Sequence, residues 1–486
     1  MTPDISRQVF VRGGLGTVAG LLLGSCGETA APRPRAAADA PDWGALGKSI
    51  QGQVTLPSSA DYAGAKNLFN SRFDNSTPAA VVTVQSTGDV QQAVVFAAQN
   101  GVQVAARSGG HSYIGASSAN GVMVVDLRQL PGGITYDDQS GLATIPAAAE
   151  LDSVQTTLAG QGRLIPSGSC PTVGVAGLTL GGGLGSDARQ WGLTCDALVS
   201  ASVVLPSGDA ITATATDNAD LYWALRGGGG GNFGVVTSFT LRTFATTDRD
   251  VVYLVFPAGS AEQVILGWNQ WLSNADRAIW GMVNVTAGQA SPGCSITLAT
   301  PPGDGPGRAG DIIAAIGVQP TSNTNQTLSR MDFVHYFEGG DQAWHPRVFV
   351  AGSDIVGEMT PSAAQAIVAA ATAWPQDAGP AAAVIESLSG AVNDVDPGGT
   401  AFPWRRQAAS IQWYSEPSPP NTVEVGDAWL VAAHQAMGAN SVGGYVNYVE
   451  LGSTASRYFG GNLSRLNAVR QQYDPSGLMY SGIRPV

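Results

Sequence analysis

Three dense glycine clusters between Arg107 and Phe239 restrict what this chain can fold into more than any other feature. They are RSGGHS (107–112), a run from Gly174 through Gly177 to the GGGLG of Gly181 to Gly185, and RGGGGGNFGVVTSF (226–239). Lacking a β-carbon, glycine lets backbone N–H groups come close to a phosphate or a flat ring. One cluster by itself reads as tight turns between strands. Three within one domain point to a group lying against the main chain. The spacing does not match the Gly-x-Gly-x-x-Gly nicotinamide fingerprint, and no Gly-Lys-Ser/Thr follows to make a nucleoside triphosphate loop.

Around the first cluster the chain reads as α/β. AVVTVQ (80–85) predicts a strand. Ser86 or Thr87 caps a helix with Val90, Val94, Ala97 and Ala98 on one face, and Gly101 ends it. VQVAAR (102–107) and VMVVDL (122–127) predict two more strands, so RSGGHS lies where a strand ends, a common place for a ligand loop. From about Asp248 the texture changes to alternating strands (VVYLVF, SITLAT), an Ala-rich helix over 362–374, and loops such as PPGDGPG (301–307). Trp268, Trp271, Trp280, Trp344, Trp374, Trp404, Trp413 and Trp429 all lie in this part; core packing is expected for most of them and stacking in a cleft for the rest.

A chain of 486 residues exceeds one ordinary core and implies two or three domains. Its net charge of -13 and pI near 4.6 repel phosphate backbones and anionic lipid. That argues against nucleic-acid and membrane-surface partners and leaves small neutral ligands open. At the N-terminus Arg7 and Arg12 precede an apolar run from Leu15 to Leu23, too short to span a bilayer. The sequence Leu23-Gly24-Ser25-Cys26 resembles a lipobox, and residues 6–11 resemble a twin-arginine signal with Gln8 in place of the second arginine. Residues 28–41 read as a flexible Ala/Pro-rich tether. The expectation is an exported bacterial protein, extracellular or at the cell surface, whose one membrane link is a lipid anchor at Cys26.

Four cysteines are too few for a disulfide framework at this size, and the chain has only four histidines. Yet His111 and Cys170 each lie beside glycine. Neutral imidazole offers a lone pair near pH 7 and thiolate is a strong nucleophile, so both suit permanent bonding to an electrophilic group. His335, His345 and His434 lack that context, and no metal-ligand spacing joins them to Cys195 or Cys294. Structural roles are expected for all five, and no metal.

At these motifs the chain resembles the berberine-bridge-enzyme-like branch of the vanillyl-alcohol oxidase and p-cresol methylhydroxylase (PCMH) flavoprotein superfamily. RSGGHS is similar to the histidyl attachment loop, GSCPTVGVAGLTLGGGLG (168–185) to the cysteinyl one, and RGGGGGNFGVVTSF to the end of the FAD domain. GGYVNYVE (443–450) and YFGGNLSRLNAVRQQYDPSGLM (458–479) resemble the family's tail. The resemblance implies an α+β fold. A signal and linker (1–42) would precede a PCMH-type FAD-binding domain of two α/β subdomains (43–246). A substrate domain with an antiparallel sheet flanked by helices (247–440) and a C-terminal segment returning to the FAD domain (441–486) would follow. It also implies doubly linked FAD, with His111 on the 8α methyl carbon and Cys170 on ring carbon C6. Arg107, as a positive charge, and the backbone of Ser108, Gly109, Gly110 and Ser112 would meet the pyrophosphate. Gly174, Gly177, Gly182, Gly234 and Val235 would line the adenosine and ring, Val173 would leave room for oxygen, and Asn447 would bond cofactor or backbone.

Oxidising an alcohol needs a base within hydrogen-bond reach of the hydroxyl. The resemblance places it in Tyr445-Val446-Asn447-Tyr448. On a strand the two phenols would point to opposite faces, with Tyr448 as the base and Tyr445 as the other candidate. The phenol would be made acidic by the flavin or by another tyrosine. Leu184 stands where some antibiotic-tailoring relatives carry a tyrosine, against their two-step oxidations. Residues 400–416 resemble a strand facing the flavin. Alternation there puts Ser410, Gln412 and Tyr414 on one face, so Gln412, Tyr414 and Glu386 are the candidate substrate contacts. The expected function is a FAD-dependent oxidase that transfers hydride from an alcohol or hemiacetal carbon to flavin N5, with oligosaccharides as the expected substrates, O2 as acceptor and H2O2 as product. The alternatives are a secondary-metabolite tailoring oxidase and a non-catalytic flavin-binding surface lipoprotein.

Overall fold

The strand-helix-strand unit forms for reasons local to its sequence. In the computed structural model, which describes residues 40–338, 343–419 and 421–485, the strand Ala80–Thr83 leads into the helix Thr87–Asn100. The Ser86 hydroxyl accepts from the Asp89 N–H at its start, and Gly101 closes it in the left-handed region at φ 66°, where glycine carries no steric penalty. Strands Val104–Arg107 and Met123–Asp126 lie parallel to Ala80–Thr83, and Gln53–Thr55 adds an antiparallel edge. A second, five-stranded antiparallel sheet runs in the order 135–137, 142–146, 235–242, 198–204, 210–214. Both sheets feed one core, in which Val82, Val94 and Val125 join Ile145, Val203 and Phe239. The export-signal reading, with Arg7, Arg12 and Cys26, falls outside the described residues.

After Asp248 the chain builds an eight-stranded antiparallel sheet in the order 322–328, 249–256, 294–300, 280–286, 381–387, 409–415, 350–356, 441–443. Helices Ala261–Asn274, Gly305–Ile316, Pro361–Thr372 and Val423–Met437 contribute to a second core containing Trp268, Ile312, Ile367, Trp413 and Trp429. Alternation along Ala409–Ser415 sends Ile411 and Trp413 into that core and leaves Gln412 and Tyr414 half-buried on the other face, as period-2 geometry requires. The C-terminal segment then returns Val449, Tyr458, Leu466 and Met479 to the first core.

The expected strand through Tyr445–Tyr448 is corrected. The strand Ser441–Gly443 stops, and Val446–Tyr448 is a turn of 3₁₀ helix closed by Tyr448 N–H on the Tyr445 carbonyl at 2.8 Å. Side chains replace the ladder on the facing strand: the Ser353 hydroxyl accepts from Tyr445 N–H (2.9 Å), and Glu450 Oε1 accepts from Ser353 N–H (2.8 Å). Both rings therefore share one neighbourhood, with centroids 4.9 Å apart and nearly perpendicular.

His434 has the structural place expected of it, in a polar cluster tying this turn to the sheet. Its ring meets Asp354 (2.8 Å) and Glu450 (2.5 Å), and Arg457 also bonds Asp354 at 2.8 Å. Burial alone would lower its pKa, but the two carboxylates outweigh burial and push it up to about 9. Because that lies above the ordinary 6.5, the imidazolium's stabilisation is complete below about pH 6.5 and is lost as pH rises through about 9. Urea unfolding should show stability falling by on the order of 2 kcal/mol across that window. His434→Gln should flatten the slope.

Candidate active site

Two loops bring His111 and Cys170 together. The first leaves the strand Val104–Arg107 and is held by Ser108 Oγ donating to the Ala147 carbonyl (2.6 Å) and by Ser112 Oγ accepting from Ala116 N–H (3.1 Å). Gly110 takes φ +74°. Among the described residues, the N–H groups of Gly109, Gly110, His111 and Ser112 have no protein acceptor, which leaves a row of donors suited to an anionic group such as a pyrophosphate. The second loop runs antiparallel to residues 149–152, with Asp152 N–H on Pro171 and Leu151 N–H on Val173, both at 3.0 Å. The loops touch main chain to main chain: a β-carbon on Gly109 would collide with Gly174 N, and one on Gly174 with Gly109 N.

The His111 Nε2 lies 2.8 Å from the Thr172 hydroxyl, two residues beyond Cys170, and its ring stacks on Phe69 at 3.9 Å. Burial first, and the Arg347 charge second, lower the His111 pKa to about 3. The imidazole is neutral at any working pH. Cys170 is solvent-accessible, yet its surroundings desolvate the thiol enough to raise its pKa, against the opposing pull of Arg347. Gly177 is exposed on the next helix, and a β-carbon there would meet nothing within 4 Å.

Beside the two loops, the sheet face and the 3₁₀ turn assemble aromatic and carboxyl groups. Tyr113 stacks on Tyr448 (5.4 Å, 9° between planes) and meets the edge of Phe349, which stacks on Tyr414 at 5.4 Å. Gln412 Nε2 donates to the Tyr113 hydroxyl at 2.5 Å, and the Tyr414 hydroxyl donates to Glu416 at 2.7 Å. The Tyr448 hydroxyl lies 3.5 Å from Glu386 Oε2. Burial raises the Glu386 pKa to about 7 despite that hydroxyl, and burial followed by the Glu386 charge raises Tyr448 well above the usual phenol value. A charge on Cys170 raises the pKa of Tyr113, Tyr414 and Tyr448 alike, which places all three phenols near the thiol. Sequence reasoning missed Tyr113, Phe349 and Arg347. Only Tyr113 carried a signal, its place directly after RSGGHS.

Several expectations change. Arg107 is not a free positive charge. Its register opposite Asp126 in parallel strands makes a buried ion pair at 2.7 Å, and its other terminal contacts go to the Ala65 and Lys66 carbonyls. Tyr445 is not an open base. Its hydroxyl accepts from Gly183 N–H (2.8 Å), Leu184 N–H (3.1 Å) and Asn447 Nδ2 (2.8 Å), so it holds the second glycine cluster. Asn447 also donates to the Leu178 carbonyl at 3.0 Å, and a β-carbon on Gly181 would collide with its amide. Gly182, at φ +128°, packs beside Phe402 and Tyr445. Gly234 packs on the Val204 carbonyl and the Val235 side chain is in the core, so both offer a ligand only main chain. Val173 is half-buried against the first core. The site's walls are tyrosine and phenylalanine, whereas Trp268, Trp280, Trp374, Trp404, Trp413 and Trp429 are buried.

Comparison with known proteins gives the same picture. The FAD binding domain family matches residues 78–214, and the berberine and berberine-like family matches residues 444–480. The xylooligosaccharide oxidase of Thermothelomyces thermophilus is 29% identical over 473 residues, covering 89% of this chain and 92% of that protein. The structure of Physcomitrella patens BBE-like 1 superposes with a TM-score of 0.81 at 25% identity, over 91% of this chain and 98% of that one. The glucooligosaccharide oxidase of Acremonium strictum, described with a 6-S-cysteinyl, 8α-N1-histidyl FAD, does so with 0.81 at 25% identity, over 91% and 99%. With an FAD-binding region, a berberine-like tail and a shared fold across nearly the whole described chain, the protein belongs to the berberine-bridge-enzyme-like FAD-linked oxidoreductases of the PCMH superfamily.

Proposed function

We propose that this protein is a sugar oxidase: it oxidises the reducing-end hemiacetal carbon of an oligosaccharide to a lactone and reduces O2 to H2O2. The observation that carries the reading is the Tyr448 hydroxyl 3.5 Å from Glu386 Oε2, among polar and aromatic side chains close enough to Cys170 to feel its charge. The donor row of residues 109–112 would hold FAD, with His111 and Cys170 as its attachment points, and the bound cofactor would supply the hydride acceptor and the route of electrons to oxygen. The protein's part is proton removal and positioning. A phenol raised above its ordinary pKa is a poor base alone, so Tyr448 takes the substrate's hydroxyl proton while handing its own to Glu386, whose pKa of about 7 suits it to accept one at neutral pH. The Gln412 carboxamide and Tyr113 hydroxyl orient sugar hydroxyls, and the Tyr113, Phe349 and Tyr414 rings offer faces for a pyranose. Names of relatives such as the xylooligosaccharide oxidase support the substrate class.

The test is peroxide release by the purified holoprotein across cello-, xylo- and chito-oligosaccharides. At least one series should release peroxide, bleach the flavin absorbance without air and regain colour when air is admitted. Silence across all three would favour a tailoring oxidase of secondary metabolites, and a flavin that no alcohol bleaches would favour a binding scaffold.

A further inference from the structure

A second cluster of chemistry-bearing side chains lies outside the mechanism. The helix Arg330–Glu338 presents His335 and Glu338, three residues apart and so on one face, to Asp152 in the first turn of the helix Leu151–Ala159. One ligand atom from each of the three lies within 4.8 Å of the other two, and His335 Nε2 is 3.9 Å from Asp152 Oδ1. Glu338 is only 8% exposed, and among the described residues its Oε1 has no hydrogen-bond partner. No arginine or lysine among the described residues forms an ion pair with Glu338 or Asp152; Arg330, on the same helix, is engaged with Asp187. Two neighbouring carboxylates, one buried and, among the described residues, with an unpartnered Oε1 and no arginine or lysine in an ion pair with it, form an arrangement that a bound cation would stabilise. Burial and the Asp152 charge both act to raise the Glu338 pKa, with His335 opposing.

We propose that Asp152, His335 and Glu338 bind a divalent transition-metal ion, for which zinc is the fitting probe. One imidazole nitrogen with two carboxylate oxygens suits zinc better than calcium, which takes six to eight oxygens. A solvent-facing fourth position would hold water, since His335 is exposed. The ion would fasten the helix Leu151–Ala159 to the helix Arg330–Glu338. Because Asp152 N–H already holds the Pro171 carbonyl at 3.0 Å, it would also steady the loop that carries Cys170.

The full-length holoprotein, stripped with EDTA and dialysed, is titrated with zinc chloride by calorimetry and assayed for retained metal after gel filtration. Wild type should retain one zinc per chain. His335→Ala and Asp152→Asn should each weaken binding by at least about tenfold, while His345→Ala, at an exposed histidine elsewhere, should not. Glu338→Gln should also lose zinc, and when stripped should melt no lower than stripped wild type, because the unpaired carboxylate is gone. A wild type that retains no zinc, or zinc binding unchanged in both His335→Ala and Asp152→Asn, would overturn the site.

Discussion

Tyr448→Phe is expected to lower kcat by roughly a thousandfold with KM changed little, the loss typical of removing a positioned proton-transfer group. The substitution keeps the ring that stacks on Tyr113 and removes only the oxygen facing Glu386, so binding survives and proton removal does not. Glu386→Gln separates the two members of the pair. With a Glu386 pKa of about 7, kcat/KM for wild type should fall about tenfold per pH unit below that value and level off above it, since the ionised carboxylate is the acceptor. In Glu386→Gln that acidic limb should disappear along with much of the rate. Tyr445→Phe should behave differently. It strips an acceptor from two buried N–H groups and the Asn447 amide, costing about 1–3 kcal/mol of stability while kcat stays within about tenfold of wild type. Stopped-flow reduction and urea unfolding of the three variants distinguish these outcomes. Equal rate losses in Tyr445→Phe and Tyr448→Phe would refute the assignment of the base.

What could be read in the sequence is what short-range chemistry determines. Ser86 and Gly101 bracket a helix because one supplies a cap and the other tolerates φ 66°, and both facts sit in the local sequence. The pairing of RSGGHS with the Cys170 loop was legible because each loop carries its own motif. The errors involve partners far along the chain. Arg107 looked free because Asp126, its neutralising partner, is set beside it only by strand register. The turn at Tyr445–Tyr448 depends on Ser353 and Glu450 capturing ladder positions, which no alternation pattern reveals. Core packing was expected for most tryptophans and holds for Trp268, Trp374, Trp413 and Trp429, but the tyrosines that line the site come from three separate segments, which the sequence did not bring together.

Acid-precipitated protein should stay yellow in wild type, in His111→Ala and in Cys170→Ala, and turn colourless only in the double variant. The logic is that of two independent tethers: denaturation removes every non-covalent contact, so colour in the pellet reports a surviving bond, and either bond alone suffices. The two sites differ in how they reach a nucleophilic state. With its pKa near 3, His111 carries a free lone pair throughout the pH range of folding, so the histidyl link in Cys170→Ala should form to the same extent at any such pH. Cys170 must lose a proton first, and burial raises its pKa above the ordinary thiol value. The cysteinyl link in His111→Ala should therefore form faster as pH rises, in step with the thiolate fraction. Arg347 opposes that burial, so Arg347→Gln in the His111→Ala background should slow the bond further at a given pH. Peptide mass spectrometry of each variant reconstituted with FAD over a pH series reads both trends directly. A colourless pellet from either single variant would mean that the chain anchors its flavin by one bond only.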